Sequence, residues 1–154
     1  MKFRPTLMIF AFMSTLFFSS CSTDNSTREF AEKYIAAENA AWNTGNLADL
    51  EALEDPAVVY HMPGLELKGW RAHAEYITQG RPTVLNLKQN WNYLSGEGNH
   101  FALAYDSSAI LKGDDKNPPQ SVSNNFLFVL RLRNGKIAEV WMNGSSTSKP
   151  VPKD

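Results

Sequence analysis

The amino-acid sequence predicts an α+β fold, with helices in its first half and strands in its second. Apolar residues recur at helical spacing from Phe30 to Trp42, which is the pattern of an amphipathic helix. After Val84 the chain contains strand-like segments separated by turns, and Asn134-Gly135 between the last two is a strong signal for a tight hairpin. Helices followed by a run of strands are the order of an α+β domain.

Three helices are predicted from their start and stop signals. Thr27 is a good N-cap for the first helix, and Gly45 ends it. A shorter second helix is capped by Asn46 and closed by Pro56. The third helix follows Gly69 and ends at the next glycine and proline.

The strands are predicted from β-rich segments bounded by turn residues. They are Ala57 to Met62, Leu65 to Lys68, Val84 to Leu94, His100 to Leu111, Val122 to Arg133, and Lys136 to Asn143. Long strands that curl around packed helices would enclose a conical cavity. The tail at 145–154 contains two prolines and no periodicity, so we expect it to be loose.

Residues 1–20 have the pattern of a secretory signal. Lys2 and Arg4 precede an apolar run at 7–18, and small residues follow it. A membrane-spanning helix needs about 20 apolar residues, so this run is too short to span. The segment therefore predicts export from the cytoplasm.

Cys21, the only cysteine, follows Phe18-Ser19-Ser20. This pattern resembles the lipidation site of bacterial lipoproteins, in which the thiol receives a diacylglycerol and the signal is cut just before it. An ordinary cleavable signal with a chance cysteine is the alternative. We predict a cell-envelope protein that is anchored to a bacterial membrane by lipid on Cys21 and faces away from the cytoplasm. Residues 22–26 would be its tether, and 27–144 its folded domain.

The composition argues against several classes of protein. The formal net charge is −1 and no basic patch stands out, so we expect no nucleic-acid partner. His61, His73 and His100 lack the close spacing of metal ligands. No glycine-rich phosphate loop or Ser/His/Asp order is present. We therefore expect neither a metal nor a cofactor.

Three motifs carry a family resemblance. They are AAWNTGNL at 40–47, HMPG at 61–64 and NGKIAEVW at 134–141, with Gly69 opening the third helix between them. Their order and spacing resemble the SnoaL-like branch of the nuclear transport factor 2-like superfamily over about residues 27–144.

The resemblance implies a cone of curved antiparallel sheet closed by three N-terminal helices, a cystatin-like fold. Members of the family include polyketide cyclases, ketosteroid isomerases, dehydratases and non-catalytic binding or assembly modules. They commonly dimerise through the sheet, so a homodimer is expected here, with Asn90, Asn92, Ala102 and Ala104 on the contact face. Because one fold serves many functions, function has to be argued from the site.

Strand alternation predicts which side chains face the cavity. The predicted lining consists of aromatic residues with two asparagines as polar groups: Trp42, Trp91, Tyr105, Asn124, Trp141 and Asn143. A mostly apolar lining with a few polar groups is typical of small-molecule sites. The alternative is that these aromatic side chains simply fill the core.

His61 is the candidate catalytic residue. The resemblance places it at the cavity rim, near the position at which an aspartate moves the proton in the isomerase branch, and no carboxylate stands at residues 60–62. A histidine could replace that aspartate, because its usual pKa near 6.5 suits proton transfer. It would need an orienting carboxylate, for which Glu139 and Asp106 are candidates. A ligand-contacting or structural histidine is the alternative.

Three functions remain open from the sequence. The leading hypothesis is a lipid-anchored domain that binds a small, largely apolar molecule in the cone. The second is a cofactor-free isomerase, lyase or cyclase that uses His61. The third is an assembly module whose sheet face binds a partner protein. An open cavity that contains His61 within hydrogen-bond reach of a carboxylate would favour the enzyme. An open cavity without that pair would favour binding, and a filled core would favour assembly.

Overall fold

The computed structural model describes residues 23–152 as three helices packed against a six-stranded sheet. The helices are α1 (Thr23–Thr44), α2 (Ala48–Leu53) and α3 (Trp70–Gly80), and a 3₁₀ turn at Arg81–Thr83 follows α3. The strands are β1 (Glu54–Met62), β2 (Leu65–Lys68), β3 (Val84–Glu97), β4 (His100–Leu111), β5 (Gln120–Arg133) and β6 (Lys136–Pro150). The predicted α+β class is confirmed. The predicted signal at residues 1–20 and Cys21 lie outside the described residues.

The first helix begins earlier than its predicted cap. It starts at Thr23, so Thr27 lies within α1, where it is buried and within 3.0 Å of the Tyr93 hydroxyl. The prediction of Thr27 as N-cap is wrong, because the polar residues before it continue the helix. The other end is as predicted, since Gly45 follows the last helical residue with φ of +80°, a conformation that glycine adopts without strain. Among the described residues, no helix is long and apolar enough to cross a membrane.

The sheet is mixed rather than wholly antiparallel. Its strand order is β2-β1-β6-β5-β4-β3, and β1 pairs with β6 in parallel, with Tyr60 beside Val140. All other neighbours are antiparallel. The parallel pair is possible because α3, β3, β4 and β5 lie between β1 and β6 in the chain, and parallel strands need such a long crossover. One face of the sheet, which we call the concave face, packs against α1 and α3, and we call the opposite face the convex face.

The last strand is longer than predicted. Residues 145–150 continue β6 and pair with β5, from Ser145 opposite Asn125 to Pro150 opposite Gln120. The expectation of a loose tail from residue 145 is therefore wrong as far as Pro150. The residues of this segment are polar, which is typical of a loop. Backbone pairing with β5 holds them in a strand, and β5 itself begins two residues earlier than predicted.

A β-bulge at Ala138 changes which residues of β6 face inward. Arg131 pairs with Glu139 and the next residue of β5, Leu132, pairs with Ile137, so Ala138 is an extra residue in β6. Ile137 and Ala138 are both buried, and Val140 and Met142 then face the helices. The odd-numbered residues after the bulge consequently face the opposite side of the sheet.

Candidate functional site

A cavity of about 290 Å³ lies between the helices and the concave face of the sheet. Its volume is at the lower end of the range for ligand pockets. Helices α1 and α3 form one wall, and strands β1 and β3 to β6 form the other. The lining is mostly apolar, and five indole or phenol side chains contribute to it: Trp42, Tyr60, Tyr76, Trp91 and Tyr105. The structure therefore combines a packed core with an open space beside it.

Four of the six predicted lining residues border this cavity. They are Trp42, Trp91, Tyr105 and Asn124. Asp106, which follows Tyr105 on β4, is exposed and accepts a hydrogen bond from Asn125 on the other face of the sheet. Strand alternation predicts the inward-facing residues of β4 and β5 correctly, because both strands keep a regular register along this stretch.

Trp141 and Asn143 do not line the cavity. Both are exposed on the convex face of the sheet, and Met142 and Ser146 line the cavity in their place. Simple alternation from Ile137 does not allow for the bulge at Ala138, so it assigns the later residues of β6 to the wrong face of the sheet. Trp141 instead stacks on His61, with ring centroids 5.6 Å apart.

His61 also lies outside the cavity, on the convex face. Its Nε2 is 2.9 Å from Glu139 Oε1 and its Nδ1 is 3.2 Å from Glu66 Oε2. Arg131 binds the other oxygen of Glu139. The predicted Glu139 partner is present, but the pair is not among the residues that border the cavity. His61 therefore cannot act on a molecule held in the cavity.

A buried cluster of ionisable side chains, absent from the predicted site, borders the cavity instead. Glu38, Tyr60 and His73 line it, and Tyr34 and Glu54 lie behind them. Tyr34 donates to Glu38 Oε1 at 2.7 Å, and Tyr60 donates to Glu54 Oε1 at 2.5 Å. His73 Nδ1 lies 2.9 Å from the same Glu54 oxygen, and its Nε2 lies 3.9 Å from Glu38 Oε1. With the two phenol oxygens 3.5 Å apart, these five side chains form a closed ring.

The cluster brings its residues from three elements. Glu38 lies on α1 one turn after Tyr34 and one turn before Trp42, so all three share one helix face. His73 is on the buried stripe of α3, and Glu54 and Tyr60 belong to β1. A sequence signal existed, because Glu38 is a carboxylate on the apolar stripe of a predicted amphipathic helix.

Burial shifts the pKa values of this cluster. Desolvation raises the pKa of Glu38, and the charge of His73 and the hydrogen bond from Tyr34 only partly oppose that effect. For His73 burial disfavours the charged form, but the hydrogen bond to Glu54 and the charges of Glu38 and Glu54 raise the pKa above its usual value. Burial and the neighbouring charges also raise the pKa of Tyr34 and Tyr60. The cluster therefore favours an imidazolium on His73 and holds a proton on Glu38 more tightly than water would.

The donor set suits a proton better than a metal ion. Glu38, Glu54 and His73 each offer a ligand atom within 4.8 Å of the others. However, His73 turns one ring nitrogen to each carboxylate, whereas a metal ion would need a single nitrogen that faces both. The geometry is that of an imidazolium between two carboxylates.

A second cluster of polar side chains lies on the strand side of the cavity. Asn124 donates to the Ser107 hydroxyl at 2.9 Å, and Gln89 approaches the Tyr105 hydroxyl at 3.4 Å. These four side chains all line the cavity. Gln89 Oε1 has no hydrogen-bond partner within the described part of the chain.

Comparisons with known proteins agree with this architecture. The family model described as a SnoaL-like domain matches residues 32–140. A search of curated protein sequences finds no significant match to this chain. Among solved structures, a hexachlorocyclohexane dehydrochlorinase, LinA-type3, from Novosphingobium barchaimii superimposes with a TM-score of 0.63 at 10% identity. That alignment covers 82% of this chain and 91% of the other.

Two further structures share the fold. A LEH-like epoxide hydrolase from M. tuberculosis has a TM-score of 0.61 at 14% identity, over 79% of this chain and 84% of that one. An NTF2-like protein from Burkholderia xenovorans has a TM-score of 0.60 at 13% identity, over 80% of this chain and 92% of that one. Identities this low establish the fold alone. Because the family model spans most of the described domain, the chain belongs to the SnoaL-like family.

Proposed function

We propose that this domain binds a small, largely apolar molecule in the cavity, with a polar group of that molecule directed at Glu38. The observation that carries the proposal is the cavity itself, which is lined mostly by aromatic and aliphatic side chains and has the buried carboxylate of Glu38 in its lining. Burial of this carboxylate costs stability, and its contacts with Tyr34 and His73 offset that cost only in part, because the pKa of Glu38 stays raised. The open volume is also the opposite of the filled core expected of an assembly module.

A cavity-filling substitution tests this proposal. Ala109 lines the cavity on β4, whereas its neighbour Ser108 is exposed on the other face. Ala109→Phe should abolish the fluorescence enhancement of N-phenyl-1-naphthylamine, a neutral apolar probe. Ser108→Phe, the matched control, should leave the enhancement unchanged.

The two variants also separate binding from folding. Overpacking typically costs about 1–3 kcal/mol, so circular dichroism must show that Ala109→Phe still unfolds cooperatively. Equal probe binding by a folded Ala109→Phe protein and by the wild type would refute binding in the cavity. Absence of probe binding to the wild type would do so as well.

A second candidate function is cofactor-free proton transfer, as in an isomerase, lyase or cyclase. The observation that favours it is the raised pKa of Glu38 beside the cavity, because a carboxylate with a pKa moved towards neutrality suits general acid or base catalysis. His73 would orient Glu38 and balance its negative charge, since the two ring nitrogens of His73 already face Glu38 and Glu54. Glu38 thereby replaces His61 as the candidate. The dehydrochlorinase and epoxide hydrolase among the structural neighbours have only the fold in common with this chain.

Deuterium exchange tests this second function. The protein should accelerate exchange of the α-hydrogens of 4-phenylbutan-2-one in D₂O, followed by NMR. Glu38→Gln should lower that rate by roughly 10²–10⁴-fold, while His61→Gln should not change it. A Glu38→Gln protein as active as the wild type would eliminate Glu38, and no acceleration by the wild type would leave the binding function as the proposal.

Two properties of the whole chain remain proposals. The first is lipid attachment at Cys21, which would hold the domain at a bacterial membrane outside the cytoplasm. The second is a homodimer through the convex face of the sheet. There Ala104 pairs with the exposed Leu127, and Ala102 pairs with Val129, so small and apolar side chains lie side by side on a surface that a second copy could cover.

A further inference from the structure

The charge of the buried cluster is not balanced by its own members. It contains two carboxylates, Glu38 and Glu54, and a single basic side chain, His73. With all three ionised, the cluster carries one negative charge more than positive charge. Glu38 is the carboxylate that borders the cavity, so the cavity is the side from which a balancing charge can arrive.

Within the described part of the chain, His73 is the one side chain of the cavity wall that can carry a positive charge. Among the described residues that line it, none is lysine or arginine, and Glu38 is the only acidic one. An anionic ligand would thus enter a space that contains a carboxylate and no free cation. Such a ligand would lose its hydration without a lysine or arginine to compensate for its charge.

Aromatic side chains line the cavity together with this carboxylate. Trp42 follows Glu38 by one turn on the same face of α1, and the ring of Tyr76 lies beside that of Trp42 in the cavity lining. Their centroids are 6.0 Å apart in an edge-to-face arrangement. Trp91 and Tyr105 form a second close pair across the cavity, with centroids 4.2 Å apart. Rings around an acid are the usual surroundings of a bound ammonium group, because cations are attracted to aromatic faces.

We propose that the ligand of this cavity is an organic cation, an apolar amine or quaternary ammonium compound whose positive group lies at Glu38. This inference rests on the proposed binding function and names the class of ligand. In the absence of a ligand, a proton on Glu38 can neutralise the excess negative charge of the cluster. A bound ammonium group would take over that role, and its methyl or alkyl groups would contact Trp42, Tyr76 and the rings beyond.

Three compounds of one shape test the proposal. Choline carries a trimethylammonium group, 3,3-dimethylbutan-1-ol is its neutral carbon counterpart, and 3,3-dimethylbutanoate carries a negative charge. Ligand-observed NMR titration of the wild-type protein should give an affinity for choline at least tenfold above that for the alcohol. The carboxylate should bind more weakly than either.

Substitution of Glu38 supplies the second measurement. Glu38→Gln should bring the choline-to-alcohol ratio down to within about threefold of unity, whereas the exposed Glu32→Gln on the same helix should preserve it. A ratio is unaffected by a general loss of folded protein, because both compounds need the same cavity.

The outcomes separate the ligand class from the binding function. Equal or tighter binding of the alcohol by the wild type would overturn the cation inference and leave cavity binding intact. A preference that survives in Glu38→Gln would overturn the role of the carboxylate. If none of the three compounds bound, the cation inference would fail, and the naphthylamine probe with Ala109→Phe would decide separately whether the cavity binds anything.

Discussion

Glu54 is the member of the buried cluster whose loss we expect to destabilise the protein most. Its side chain is fully buried, and one of its oxygens accepts hydrogen bonds from both Tyr60 at 2.5 Å and His73 at 2.9 Å. Hydrogen bonds to a charged group contribute roughly 1.5–3 kcal/mol each, so the two together amount to about 3–6 kcal/mol. Removing one member of a buried ion pair typically costs about 3–5 kcal/mol. Glu54→Gln should therefore lower the free energy of unfolding by about 4 kcal/mol.

Urea denaturation at pH 7 measures this loss. With a slope of about 2 kcal/mol/M for a small domain, the midpoint should fall by about 2 M while the slope stays the same. Glu51→Gln is the matched control, because Glu51 is an exposed glutamate one turn earlier in the chain, and it should change stability by less than about 0.5 kcal/mol. A loss below about 1 kcal/mol in Glu54→Gln would mean that Glu54 does not hold an imidazolium.

The same pair predicts how stability depends on pH. The pKa of His73 is raised in the folded protein, so the folded state holds this proton more tightly than the unfolded state does. The resulting stabilisation is complete below the unfolded pKa near 6.5 and is lost as pH rises through the higher folded value. Urea midpoints should consequently decline above pH 6.5 in the wild type. In Glu54→Gln that decline should be much smaller, and an unchanged decline would contradict the assignment.

Four further predictions follow from particular residues. Trp141→Ala should leave naphthylamine binding unchanged and cost less than about 1.5 kcal/mol, because Trp141 lies on the convex face; weakened binding would contradict that placement. Gly144→Ala should cost about 1–3 kcal/mol in urea denaturation, since a Cβ there would press on the backbone of the neighbouring strand, whereas Ser145→Ala should be neutral. Mass spectrometry should find lipid on Cys21 at the mature N-terminus, and an unmodified chain starting elsewhere would exclude the anchor. Light scattering should show a dimer that Ala104→Arg dissociates, and a wild-type monomer at high micromolar concentration would exclude the interface.

The fold was largely accessible from the sequence because its signals are local. Gly45 and Gly69 mark helix boundaries through backbone conformations that suit glycine, with φ of +80° and +84°. The hairpin at Asn134-Gly135 has both residues at positive φ, as a type I′ turn requires. The parallel pairing of β1 with β6 and the extension of β6 to Pro150 were not accessible, because both depend on a partner strand elsewhere in the chain.

The candidate site was accessible only where strands are regular. Alternation placed Tyr105 and Asn124 correctly, since neither β4 nor β5 contains a bulge near them. It failed for Trp141, because no local residue pattern announces the extra residue at Ala138. The cluster of Glu38, Glu54 and His73 was missed for a different reason. Its members are separated by 16 and 19 residues along the chain, and only the packing of α1, β1 and α3 brings them together.

The bulge at Ala138 means that the number of residues in β6 decides which of its side chains face the cavity. A chain with one residue fewer at this point would turn Trp141 and Asn143 towards the cavity and expose Val140 and Met142 to water. Both surfaces that this sheet presents would change in one step, although every amino acid of the strand after Ala138 would be retained. Within this protein's lineage, substitutions along β6 can therefore adjust either surface gradually, whereas a single-codon deletion there would replace both at once.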